Sequence, residues 1–282
     1  MNQPIYKIGA IVRPKSPELK DSCVEIFRIL AESGIEVWCE RESSCMLGLQ
    51  GGVGFEEILD SADAILSIGG DGTLISAVRK SIGSNLPIFG INMGSLGFLT
   101  AIKPNEVASF ASLLVSGGYK LDFHCMLEAR FVDSSEKFYA LNEVFITKNN
   151  HCGMIKVGAK INNEFFNTYI VDGLIIATPT GSSAYNISAG GSVVYPFCSN
   201  ILLTPVCAHS LTQRPLVISD DLELEFVLKE DGMILIDGQQ TITFHKNKTL
   251  NVRKSCNIPL IQHPNRSYFA VLKEKFNWGG GS

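Results

Sequence analysis

Apolar residues in this chain fall into two rhythms that alternate along its first third. Ile5 to Val12, Ile35 to Cys39, Ala64 to Ile68 and Pro87 to Ile91 are short, nearly continuous apolar runs, the pattern of strands buried on both faces of a parallel sheet. Between them the spacing lengthens to that of a helix. Ser16-Pro17 supplies an N-cap and a first helical residue, Leu19, Cys23, Ile26 and Leu30 recur on one face, and Gly34 closes the segment. Leu74 to Arg79 is helix-like as well, and Lys103-Pro104 seeds a helix that runs to about Val115. Strands alternating with helices predict an α/β domain with a doubly wound parallel sheet.

Gly117-Gly118 marks a change of character. Lys120 to Phe131, Phe138 to Lys148, Met154 to Ile161, Leu222 to Leu228, Met233 to Ile236 and Thr241 to Phe244 are rich in β-branched and aromatic residues and are joined by turn signals such as Asn162-Asn163 and Asp237-Gly238. An all-β C-terminal domain is expected. Ser267 to Phe276, with Tyr268, Leu272 and Phe276 at helical spacing, predicts a helix that packs back on the first domain. The expected division is therefore 1–118 completed by 264–278, then 119–263, with 279–282 (Gly-Gly-Gly-Ser) as a flexible tail or linker.

Charge and composition narrow the classes of partner. A net charge of -4 with 45% hydrophobic and 18% charged residues describes a globular chain and argues against a non-specific nucleic-acid binder. The paired cations Arg79-Lys80 and Arg253-Lys254 read as solvated surface charge. The opening residues Met1 to Lys7 lack the apolar core of a signal peptide, and no run approaches a membrane span. A cytoplasmic location without a membrane partner is expected. The 8 cysteines (Cys23, Cys39, Cys45, Cys125, Cys152, Cys198, Cys207 and Cys256) form no CxxC pair and the 5 histidines no HxxxH. No structural metal is expected, and most or all of the cysteines read as small core hydrophobes kept reduced.

Chemistry concentrates in three stretches. Gly69-Gly70-Asp71-Gly72-Thr73 follows the third apolar run directly and precedes a helix, so its glycines fall at the carboxyl end of a parallel strand, where open α/β sheets bind ligands. Backbone without Cβ atoms can approach a phosphate closely, and a helix start adds N–H groups and a favourable dipole. Two further glycine-rich loops, Gly51 to Gly54 and Gly90 to Thr100, follow the same domain pattern. The one charged group, Asp71, does not hold phosphate by attraction and is suited instead to a metal ion or a hydroxyl proton. In the second stretch, Asp172 to Gly191, a strand leads through the hydroxyl-rich turn Thr178-Pro179-Thr180-Gly181-Ser182-Ser183 into a helix; it reads either as a well-capped helix or as a grip for a polar ligand on which Tyr185 could stack. The third is Asn142-Glu143 inside the strand-like Tyr139 to Ile146, where alternation sends one of the two into a polar cavity unless a bulge or strand end leaves both wet.

Gly69 to Thr73, Asn92-Met93-Gly94-Ser95-Leu96-Gly97-Phe98-Leu99, Asn142-Glu143, Asp172-Gly173 and Thr178 to Tyr185 together resemble the NAD kinase family, in its order and approximate spacing and over nearly the whole chain. The glycine-aspartate motif alone also resembles phosphofructokinases and lipid kinases; the Thr178 to Gly191 stretch is the specific one. The resemblance implies an ATP-NAD kinase that phosphorylates the 2'-hydroxyl of the adenosine ribose, with its site in the cleft between the two domains. It implies Asp71 as general base, backed by the Gly72 main chain, and Gly69, Gly70, Gly72 and Thr73 as the cradle of the ATP phosphates. Dinucleotide contacts would come from Phe98, Asn142, Glu143, Ser183, Ala184, Tyr185, Asn186, Ile187 and Ser188, from Asp172 of the same or a neighbouring subunit, and from Gln239 in the turn after Ile236. Magnesium would arrive with ATP, without a protein cage, and the chain would form a homodimer or homotetramer. Two residues depart from the pattern. Ile170 stands where many bacterial relatives carry an arginine, removing one expected cationic contact, and Ser183 replaces a threonine while keeping its hydroxyl. The alternatives carried with this reading are a non-catalytic NAD(P)-binding sensor and a lipid kinase that shares the glycine loop.

Overall fold

The computed structural model describes residues 2–94, 97–100, 102–149 and 153–278. Met1, Ser95, Leu96, Cys152 and the 279–282 tail lie outside the described residues. The chain forms two compact units, Met1–Asp122 with Pro259–Ser282, and Phe123–Ile258.

In the first unit, β1 (Lys7–Val12), α1 (Lys20–Glu32), β2 (Glu36–Cys39), α2 (Arg41–Leu47), α3 (Phe55–Ser61), β3 (Ala64–Gly69), α4 (Asp71–Lys80), β4 (Ile88–Asn92) and α5 (Val107–Ser116) follow in sequence. The strands pair in parallel in the order β2-β1-β3-β4. Alternation sorts the side chains: Ile8, Ala10, Leu66 and Ile68 join Cys23, Ile26 and Leu30 of α1 and Phe110 and Leu114 of α5 in one core, while Gly9 faces α3 on the other side. The predicted helical face of Leu19, Cys23, Ile26 and Leu30 is buried as expected. Its start differs. The Ser16 hydroxyl is occupied by Arg13 Nε at 2.7 Å and by the Pro14 carbonyl, so it caps nothing, and Pro17–Leu19 forms a separate 3-10 turn before α1.

The second unit is antiparallel. Its elements are β5 (Lys120–Phe131, shared with the first unit), β6 (Phe138–Ala140), β7 (Glu143–Lys148), β8 (Ile155–Ile161), β9 (Glu164–Val171), β10 (Gly173–Ala177), α6 (Tyr185–Ser188), β11 (Asn200–Val206), β12 (Leu216–Ser219), β13 (Leu224–Leu228), β14 (Gly232–Ile236), β15 (Gln240–Phe244) and β16 (Thr249–Gln262, whose end belongs to the first unit). One sheet runs β12-β11-β10-β7-β14-β15, and β16-β13-β8-β9 with β5 and β6 forms the other. Val144, Ile146, Leu174, Ile176, Ile201 and Leu203 point into a core shared with Leu127, Val157, Phe226 and Leu250 of the second sheet. The expected single strand from Phe138 to Lys148 is two strands that break at Leu141 and Asn142, whose amides go to the Asp237 carboxylate.

The first unit is completed by Leu260 of β16, which pairs in parallel with Ile88, and by α7 (Tyr268–Phe276). The Ser267 hydroxyl caps α7 by accepting the Ala270 N–H, and Tyr268 and Phe276 pack on Phe98. Of the described cysteines only Cys23 and Cys125 are buried; Cys39 and Cys256 are half-buried, and Cys45, Cys198 and Cys207 are exposed, so the core reading fails for most of them. No helix among the described residues is long and apolar enough to cross a membrane.

The close approach of α3 to β1 yields a stability prediction. A Cβ on Gly9 would lie 2.0 Å from Ile58 Cγ2, so Gly9→Ala should destabilise by about 1–3 kcal/mol through overpacking. Ile58→Ala alone should cost about 2–5 kcal/mol, and the double variant should lose less than the sum. Urea titration of the four proteins reads the coupling, and strict additivity would contradict the contact.

Candidate active site

The residues of the glycine loop are placed by the end of β3 and the start of α4. Gly69 closes the strand, Gly70 is the N-cap and Asp71 the first helical residue. A Cβ on Gly69 would meet Thr73 Oγ1 at 2.4 Å, so glycine there lets the buried Thr73 side chain tuck beneath the loop. Nothing lies within 4 Å of a Cβ on Gly70, and that side of the loop is open. Gly72 is exposed beside it.

Asp71 turns its carboxylate toward the loop after β4. Oδ2 accepts the Phe98 N–H at 2.7 Å, and Oδ1 accepts the N–H groups of Leu99 and Thr100 at 3.2 and 2.8 Å and the Thr100 hydroxyl at 2.8 Å. Asn92 extends the network, donating to Thr100 Oγ1 at 3.0 Å and accepting the Gly94 N–H at 2.8 Å. Gly97 is required by this closure, because a Cβ there would lie 2.0 Å from Asp71 Oδ1. Two cavities, each about 290 Å³, adjoin the centre. One is lined by Asn92, Met93, Gly94, Thr100 and Lys103. The other lies among Val12, Lys15, Glu40, Thr73 and Lys80, at the carboxyl edge of the parallel sheet, the side on which open sheets bind ligands.

In the second unit Asp237 organises the Asn142-Glu143 pair. Its carboxylate accepts the N–H groups of Leu141, Asn142 and Glu143 at 3.2, 2.8 and 3.1 Å. Those amides are lost to strand pairing, which breaks the expected strand. The Asp237-Gly238 turn, with φ of 50° and 64°, brings the carboxylate there. In the sequence Asp237 reads only as a turn signal, because its contacts are to backbone amides of a distant segment. Gln239 is exposed in the same turn.

The hydroxyl-rich turn packs flat against this break. Thr178 donates its hydroxyl to the Leu141 carbonyl at 2.6 Å, and a Cβ on Gly181 would lie 2.1 Å from the Asn142 carbonyl oxygen. Thr178 and Ser182 spend their hydroxyls on the turn itself. Thr180 meets the buried His124 at 2.8 Å. The following helix, α6, is a single turn of four residues rather than a long capped helix. Asn186 is fully buried, donating to the Ser182 and Ser192 carbonyls and accepting from Thr204, so its amide holds the turn. Ser183, Ala184 and Ile187 are half-buried, Ser188 is exposed, and Tyr185, 40% exposed, stands edge-on to Phe145 at 5.1 Å. Asp172 is elsewhere: it sits exposed before β10, about 20 Å from Thr178 at strand rise. Ile170, half-buried, is near that same end.

Glu143 is 6% exposed and its Oε2 has no hydrogen-bond partner among the described residues. Burial pushes its carboxyl up to about 8, the charge of Asp237 adds to this, and the Tyr185 backbone N–H opposes it. Folding therefore retains a proton that the unfolded chain releases above the ordinary carboxylate range. Stability should fall as pH rises from about 4.5 to about 8, at no more than roughly 1.4 kcal/mol per pH unit, and level off above. Glu143→Gln should lack this slope. Urea midpoints of both proteins across that window test it, and parallel curves would refute the neutral state.

Comparison with known proteins places these features in a family. Residues 8–119 match the model of the ATP-NAD kinase N-terminal domain and residues 141–261 that of the ATP-NAD kinase C-terminal domain. The chain is 46% identical to the NAD kinase of Helicobacter hepaticus over 99% of its own length and 98% of the relative's, and 46% identical to that of Wolinella succinogenes over 98% and 96%. Its fold is that of a yeast NADH kinase solved with NADH, with a TM-score of 0.90 at 22% identity, covering 99% of this chain and 90% of that one. An Archaeoglobus fulgidus NAD kinase solved with ATP gives 0.77 at 24% identity over 96% and 98%. Matched along nearly its whole length by both domains and by these relatives, the chain belongs to the ATP-NAD kinase family.

Proposed function

We propose that the chain transfers the γ-phosphoryl group of ATP to the 2'-hydroxyl of the adenosine ribose of NAD, giving NADP and ADP, with Asp71 as general base. The unequal loading of the Asp71 carboxylate carries this reading. Among the described residues Oδ1 is filled by three donors, whereas Oδ2 takes the Phe98 N–H alone. Each carboxylate oxygen offers two lone-pair sites, so Oδ2 retains one for a ribose hydroxyl. In the step, Oδ2 accepts the hydroxyl proton as the ribose oxygen bonds to the γ-phosphorus. The bond from that phosphorus to the β–γ bridging oxygen breaks, its electron pair leaves with ADP, and the proton passes from Asp71 to solvent.

Backbone N–H groups at the start of α4 would hold the phosphates, because helix starts attract anions and the open side of Gly70 admits them. Magnesium, supplied with ATP, would neutralise phosphate charge when bound. It keeps most of its waters and needs few protein ligands, and the glycine loop presents amides rather than a carboxylate cage. For the acceptor, Asn142 offers an amide and Glu143, kept neutral, a hydroxyl donor. Tyr185 offers an exposed ring, and Ser183, Ala184, Ile187, Ser188 and Gln239 would add further dinucleotide contacts. Asp172, distant from the turn along β10, would serve a neighbouring copy's dinucleotide in a homodimer or homotetramer. A cytoplasmic location belongs to the same proposal.

Two assays test it. Incubation with ATP, magnesium and NAD should yield NADP, read by an NADP-specific dehydrogenase. Tight NAD binding without product would instead establish a sensor. Asp71→Asn should lower kcat by at least about 10²-fold, the lower range for loss of a general base, and near wild-type turnover would refute its role.

A further inference from the structure

The Gly97–Thr100 segment is irregular backbone whose carbonyls are all taken from one side. Arg266 Nη2 donates to the Gly97 and Phe98 carbonyls at 2.9 and 3.1 Å, and Nη1 reaches the Thr100 carbonyl at 3.5 Å. Gln262 Nε2 takes the remaining one, Leu99, at 3.4 Å. From the opposite side Asp71 collects the Phe98, Leu99 and Thr100 N–H groups. Each peptide unit is thus held between a cation or amide at its oxygen and an anion at its hydrogen, an arrangement in which hydrogen bonds polarise one another. We propose that Arg266 is a positioning residue for Asp71, fixing the plane of its carboxylate through the Gly97–Thr100 backbone. This rests on the reading of Asp71 as general base.

The arginine is suited to this by shape. Its planar fork presents several N–H donors at fixed angles, so one side chain spans three carbonyls, which a lysine's single ammonium does not do. Arg266 is half-buried and faces the charges of Asp71, Glu106, Asp122 and Glu274; burial lowers its pKa and these carboxylates raise it. It lies directly before α7, whose Tyr268 and Phe276 pack on the Phe98 ring, so the backbone and the side chain of this segment are held by the same C-terminal stretch. With the carbonyls released, the amides are free to rotate off the carboxylate, and Oδ2 loses the direction in which it meets a hydroxyl. A displacement of about 1 Å in a reacting group can cost about 10²-fold in rate.

The test compares wild type, Arg266→Met, Arg266→Lys and Asp71→Asn in the full chain. Arg266→Met should lower kcat for NADP formation by about 10²-fold while leaving the KM for ATP nearly unchanged, and hydrogen exchange of the Phe98, Leu99 and Thr100 amides should accelerate. Arg266→Lys should recover part of both. If Arg266→Met fails to fold, Arg266→Lys carries the test alone through its lowered kcat and faster exchange. Unchanged kcat in the folded arginine variants beside an inactive Asp71→Asn would overturn the positioning role and leave the base intact. An active Asp71→Asn would overturn the base reading itself, and a loss of kcat matched by an equal rise in both KM values would mark Arg266 as merely structural.

Discussion

Backbone that belongs to no helix or strand still requires partners for its N–H and C=O groups, and meeting that requirement shapes the candidate site segments of both units. Each unit meets it with one aspartate. Asp71 gathers three successive amides, from Phe98 to Thr100, and Asp237 gathers three from Leu141 to Glu143. A short side chain with four lone-pair sites and a full charge can do this where a hydroxyl or amide cannot. The segments are thereby irregular and fixed at once. Irregularity frees a side chain such as Asn142 from the alternation of a strand, and fixation removes the cost of ordering it when a ligand arrives.

Glycine completes both arrangements by letting a second backbone come close. Gly97 stands where any Cβ would strike the Asp71 carboxylate, and Gly181 where it would strike the Asn142 backbone. These residues act through what they omit. The hydroxyl-rich turn accordingly has less to offer a ligand than its composition suggests, since Thr178 is consumed in holding it against the Asn142 break and Ser182 and Asn186 in holding the turn itself. What it leaves outward is Tyr185 and its neighbours.

Much of the fold was legible because burial and periodicity are local. The parallel strands, the amphipathic face of α1 and β5 follow from runs read without reference to partners. Strands β9, β11, β12 and β16 were missed for related reasons. β9 carries exposed Phe165 and Phe166 on an outer strand, so polarity gives no alternation to read, and β16 places Arg253 and Lys254 amid its apolar positions. Among site features, the glycine loop and Asp71 were legible since strand, glycines and helix are contiguous. The roles of Asp237 and Arg266 were not. Each acts on backbone, which has the same chemistry at every residue, across 94 to 169 positions of sequence. No pattern of side-chain types records such a contact. The break at Leu141 and Asn142 was hidden with it, because its cause lies in a distant turn.

Holding a base in this way has a consequence for how its chemistry is measured. Asp71 is both the group proposed to take the proton and the anchor of the Phe98–Thr100 amides, so replacing it removes one function and disturbs the other. The two losses share atoms and are not additive. A neutral amide at this position still accepts through one oxygen but presents donors where the other oxygen met N–H groups, so the segment must shift. The chemical and structural parts separate only through residues that touch the segment without touching the reacting hydroxyl. Arg266 and Gln262, on the carbonyl side, meet that condition, and Thr100, through its hydroxyl on Oδ1, meets it from the carboxylate side. Variation there changes how firmly the carboxylate is held without removing the carboxyl group itself, so the rate then reads what its surroundings contribute.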